Sequence, residues 1–82
     1  MNPYPNPFKE KVTLHYSLPF STGATLNLYT IKGNLLYTYE LGFQKADYYN
    51  YFWFPENLPS GNYFFAIKIK NENAFCKAIL LK

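Results

Sequence analysis

The sequence predicts an all-β fold, a small antiparallel sandwich, and three observations predict it. Apolar and polar residues alternate with period two in segment after segment between Val12 and Leu81, which is the signature of half-buried strands and not of helices. Gly, Pro and Asn punctuate those segments at short intervals, as tight turns require. Aromatic residues make up 22% of the 82 residues, and each ring can bury on the order of 150–250 Å². That payload matters because a chain this short hides only about 60% of its unfolded surface. About six to seven strands in one domain are expected.

The chain begins with Pro3, Pro5 and Pro7. Proline fixes φ and lacks an N–H, so this spacing forbids a helix and a paired central strand. Residues 1–8 are therefore expected as a Pro-rich linker or lead-in, with the sandwich domain over 9–82. Val12, Leu14, Tyr16 and Leu18 alternate with Thr13, His15 and Ser17, and Pro19 ends that strand. Leu26 and Leu28 belong to the second strand. Gly33 and Asn34, both tolerant of positive φ, mark a hairpin. The third strand is expected over 34–41, closed by Gly42. A fourth spans 48–54 and stops at Pro55. The fifth, 63–70, places Phe65, Ile67 and Ile69 on one face and Ala66, Lys68 and Lys70 on the other. A turn at 71–73 leads to the last strand, 74–81.

The phrase Leu58-Pro59-Ser60-Gly61-Asn62-Tyr63 has the form of a sandwich corner. A Leu enters the core, a Pro-Ser-Gly turn crosses between sheets, and a Tyr opens the next strand with its hydroxyl on nearby backbone. This corner makes the expected sandwich immunoglobulin-like.

Composition excludes several functions. Eight lysines and no arginine give a formal charge of +3. Without the bidentate guanidinium that reads phosphates and base edges, nucleic acid is not an expected partner. Cys76 is the single cysteine, so no intrachain disulfide or Cys-based zinc site forms. The longest apolar runs, such as 63–67, hold five residues, against roughly 20 for a spanning helix. No charged-then-apolar leader opens the chain, so an export signal of that kind is expected outside this stretch. Glu10, Glu40, Asp47, Glu56 and Glu72 are scattered, and His15 lies on the polar face of its strand. No phosphate loop or zinc-protease pattern occurs. No catalytic residue, no cofactor site and no metal site is expected, and the domain is not expected to be an enzyme.

One feature exceeds what folding requires. Between Asp47 and Phe54 both strand faces are aromatic, yet a sandwich strand has one inner face. With Tyr49, Tyr51 and Trp53 inside, Tyr48, Phe52 and Phe54 form an outer patch, expected beside Phe64. A docking face or dimer contact, cover by loops, and stacking of sugars are the three readings.

Taken together, Tyr4-Pro5-Asn6-Pro7-Phe8, the strand ending Ser17-Leu18-Pro19, Leu26-Asn27-Leu28-Tyr29 before Gly33, Leu58-Pro59-Ser60-Gly61-Asn62-Tyr63 and a Lys-containing apolar last strand resemble the C-terminal sorting domain of type IX secretion cargo, the Por secretion system. Nearly the whole chain takes part, in the family's order. Thr30 stands where the family usually carries Asp or Asn, and Trp53-Phe54-Pro55 stands where related domains often read Trp-Asp-Gly. The resemblance implies a non-catalytic address at the end of a larger cargo protein. It implies an outer-membrane translocon that reads the domain and a sortase-like surface peptidase that removes it. The location implied is the periplasm in transit, then the cell surface or the extracellular space. The tail candidates for recognition are Lys77, Ile79, Leu80, Leu81 and Lys82. Asn6, Pro7, Gly33, Leu58, Pro59, Gly61 and Tyr63 carry the structural motifs. The cargo lies in cis, and a homodimer of the isolated domain is a further expectation. The alternatives are an immunoglobulin-like spacer and a carbohydrate-binding module of a secreted protein.

Overall fold

The computed structural model describes residues 2–55 and 57–81; Met1, Glu56 and Lys82 lie outside the described residues. Among the described residues, seven strands form two sheets that pack face to face. The first sheet has the order β1 (Asn2–Tyr4), β2 (Val12–Ser17), β5 (Tyr48–Trp53). The second has the order β4 (Leu35–Gln44), β3 (Thr22–Thr30), β6 (Gly61–Ile69), β7 (Glu72–Leu80). All pairs within the sheets are antiparallel. Relative to the constant-type immunoglobulin sandwich, the fourth strand has moved to the opposite sheet.

The core follows from the alternation. Val12, Leu14 and Tyr16 of β2 and Trp53 of β5 meet Leu26, Leu28, Tyr63, Phe65, Ile67 and Leu80 of the second sheet. Where side chains reach across with polar tips, they find partners. The Tyr16 hydroxyl donates to Gln44 Oε1 at 2.9 Å, and Trp53 Nε1 donates to the Tyr39 hydroxyl at 2.8 Å. Both bonds tie the first sheet to the edge strand β4. A buried polar tip left unmatched would cost about 1–3 kcal/mol.

Several elements differ from expectation. β4 does not close at Gly42. It runs to Gln44, because Gly42 takes φ of 75° and forms a bulge that keeps the ladder going. Pairing shifts there and again near Leu28 leave Leu41 and Leu36 as extra residues on this edge. β3 starts at Thr22, four residues before Leu26. The last turn is tighter than 71–73. Ile69 pairs with Glu72 across a two-residue turn, in which Lys70 has φ of 48°. Thr30, the departure from the family pattern, still caps its hairpin. Its Oγ1 accepts the Asn34 N–H at 3.2 Å, while Gly33 N–H reaches the Thr30 carbonyl at 2.9 Å.

Residues 2–8 of the Pro-rich stretch also carry structure. Asn2–Tyr4 pairs with Thr13–His15 as an edge strand, a place where missing N–H groups are tolerated. The Tyr4–Pro5 and Asn6–Pro7 bonds are cis, and by Phe8 the chain has crossed to the other sheet. Phe8 is 1% exposed and belongs to the core.

Candidate recognition surface

The tail is held along its outer edge by the start of the chain. In an antiparallel ladder, alternate residues turn their backbone groups away from the paired strand. On β7 those of Lys77, Ile79 and Leu81 are met by Asn6 and Phe8. Asn6 Nδ2 donates to the Lys77 carbonyl at 3.1 Å, and Asn6 Oδ1 accepts the Ile79 N–H at 2.9 Å. Phe8 N–H then donates to the Ile79 carbonyl at 2.8 Å, and Leu81 N–H to the Phe8 carbonyl at 2.9 Å. One asparagine amide thus imitates a strand's backbone before Phe8 continues as a short parallel bridge to Leu80. Pro7, with no N–H to place, fits between them.

The candidates therefore fall into different environments. Lys77 is exposed, Ile79 is half-buried, Leu80 is wholly buried and Leu81 is exposed. Leu80 anchors the strand in the core; it offers no side-chain surface. Towards its start, β7 is open. Phe75 is 62% exposed, and Asn73 and Phe75 face away from β6 at an edge with no neighbouring strand among the described residues. Lys77 sits at the boundary between the sealed and the open half. Sequence reasoning missed the seal, because Asn6 and Ile79 are 73 residues apart and no local pattern links them.

The corner forms as expected. Tyr63 is 5% exposed and its hydroxyl donates to the Pro59 carbonyl at 2.6 Å. Leu58 packs against the core, and Gly61 opens β6 opposite Leu80. Gly33 takes φ of 88° in its hairpin.

The outer aromatics Tyr48, Phe52 and Phe54 are exposed. Phe64 is not beside them. It pairs with Tyr29 and Lys77 on the outer face of the second sheet, the opposite side of the sandwich. His15 is exposed and its Nδ1 is hydrogen-bonded to Asn50 Oδ1. No group of three His, Cys, Asp or Glu converges among the described residues.

Cys76 faces inward opposite Phe65, and burial pushes its thiol up to about 11. Since the thiolate is the reactive form, iodoacetamide at pH 8 should label the folded domain about 100-fold more slowly than the unfolded chain. Equal rates would mean that the Cys76 edge opens readily.

The described residues form a small sandwich with a compact core, a clamped tail and exposed edges. A sequence model of the secretion system C-terminal sorting domain matches residues 2–82. The chain belongs to that family, the sorting domains of type IX secretion cargo, which act as secretion signals and not as catalysts. No curated protein and no solved structure matches it.

Proposed function

We propose that the domain is the export address of a larger cargo protein in cis, read by the outer-membrane translocon as a folded surface. The reading surface is the tail, Lys77, Ile79 and Leu81, together with the lead-in that clamps it. Lys82, the last of the tail candidates, lies outside the described residues, and the buried Leu80 holds the tail in place. The observation that carries this reading is the double grip of Asn6 on Lys77 and Ile79. It couples the point where cargo joins the domain to the tail, so an intact tail edge exists only in a folded domain. The open half of the edge, Asn73 to Phe75, suits addition of a receptor strand, where backbone bonds supply affinity and side-chain pockets supply specificity. Transit through the periplasm and removal by a sortase-like peptidase at the surface complete the proposal.

Lys77→Glu, deletion of Leu81-Lys82, and Asn6→Ala separate recognition from folding. Each variant is fused to a fluorescent reporter in a type IX-competent host and melted as a purified domain. Lys77→Glu reverses an exposed charge and should leave melting unchanged while the reporter accumulates in the periplasm. The two-residue deletion removes the Leu81 bond to Phe8 and should lower stability only slightly, since chain ends fray readily, yet export should fail. Asn6→Ala removes two bonds and should cost about 1–2 kcal/mol. Normal surface delivery of both the Lys77→Glu and the deletion reporters would refute the tail as the address.

A further inference from the structure

The outer face of the first sheet takes no part in the tail surface proposed above, and its composition is distinctive. Tyr4 pairs opposite Thr13, and Thr13 opposite Phe52; Asn2 pairs opposite His15, and His15 opposite Asn50. These residues therefore share one face, with Tyr48 opposite Ser17 at one end. Tyr4 is 70%, Tyr48 87% and Phe52 55% exposed. Tyr48 and Phe52 stand about 13 Å apart along β5, and Tyr4 and Phe52 about 10 Å apart across the strands. Asn2, His15 and Asn50 lie between the rings, and a hollow of 280 Å³ opens beside Tyr48, lined in part by Asn2, His15, Ser17 and Asn50.

We propose that this face is a binding platform for a neutral, pyranose-based oligosaccharide, seated on Tyr48, Phe52 and Tyr4 and held by His15 and Asn50. Protein interfaces place apolar anchors at the centre and polar groups at the rim. Here the order is inverted, with polar groups central and rings peripheral. A sugar chain matches that layout, because each pyranose presents a C–H face to a ring and hydroxyls at its edges. None of Asn2, Tyr4, Thr13, His15, Ser17, Tyr48, Asn50 or Phe52 is a carboxylate or a lysine, which suits a neutral chain; Lys11 Nζ lies 5.1 Å from the centroid of the Phe52 ring and shares that ring with the sugar.

The hydrogen-bond polarity completes the match. Asn50 Oδ1 can only accept, so His15 Nδ1 carries the proton that joins them. Asn50 Nδ2 is left as a donor and His15 Nε2 as a second polar group on the same face. Both can meet hydroxyls of a bound sugar, Nδ2 by donating to one of them. The hollow beside Tyr48 holds about one ring, small against the ~300–1,000 Å³ of drug-sized sites, so affinity comes from several rings along the face. The platform lies on the opposite sheet from the clamped tail and does not depend on the export reading.

The test is calorimetric titration of the intact domain with cellohexaose, mannohexaose and xylohexaose, and with polygalacturonate as an acidic comparison. At least one neutral chain should bind, with polygalacturonate weaker. Tyr48→Ala and Asn50→Ala should each weaken binding by about tenfold or more, a change of one decade in Kd. Phe75→Ala, on the other sheet, should leave it unchanged. Both face positions are exposed, and melting curves verify that the variants fold. Absence of binding to every neutral chain, or binding that survives both face variants, overturns the proposal. So does sedimentation showing that the face pairs two copies of the domain while no sugar competes.

Discussion

Tyr63→Ala is expected to remove about 3–5 kcal/mol of stability, which is most of what a domain of this size has to spare. The residue is 5% exposed and lies in the main cluster with Leu28, Trp53 and Phe65. Its loss opens a cavity at the corner where the chain changes sheets. The hydroxyl adds a separable part. Tyr63→Phe keeps the ring and deletes only the 2.6 Å bond to the Pro59 carbonyl, which should cost about 1 kcal/mol. Urea denaturation of the two variants therefore divides the corner into packing and hydrogen bonding. Equal losses would place the whole effect in the hydroxyl. A midpoint for Tyr63→Ala close to that of the parent would mean that the corner contributes nothing.

The corner was legible because its cause is local: Leu58, Pro59, Gly61 and Tyr63 act within six residues, and each type has one good reason to be there. The same holds for β2, β5 and β6, whose alternation maps directly onto inner and outer faces. Legibility fails where the cause is distant. Gly42 reads as a stop because glycine usually ends strands, but the partner strand β3 was long enough to continue pairing past a bulge. Phe64 looked like a neighbour of Phe52 because both point outward, yet they belong to different sheets, and sheet membership is a property of pairing. Asn6 gave no sign that its amide would serve as a piece of strand. The aromatic platform was half legible. The doubled aromatics of 48–54 announced an outer face, but its polar centre comes from Asn2, His15 and Asn50 on three strands.

Phe8→Ala is the second large effect, expected at about 3–5 kcal/mol, from a residue that reads as part of a linker. Its ring meets Trp53 edge-on at 6.2 Å, and Trp53 in turn packs edge-on against Phe65 at 5.3 Å, so the ring of Phe8 is one end of a chain of contacts through the core. Aromatic pairs of this geometry add about 0.5–1.5 kcal/mol beyond area burial. The backbone of Phe8 holds Ile79 and Leu81, and alanine would keep those two bonds while losing the ring. Phe8→Leu, which fills part of the volume, should recover a large fraction of the loss. Deleting residues 1–8 is harsher. It removes the ring, both Asn6 bonds and β1 together, and the remaining chain should show no cooperative melt and poor amide dispersion by NMR. The consequence reaches function: a peptidase that cut after Phe8 would leave the sandwich without its plug and the tail edge bare, whereas a cut before Asn2 would release an intact domain. A chain starting at Lys9 that melts cooperatively at the parent's temperature would show that the lead-in is a linker after all, and would remove the coupling between cargo junction and tail.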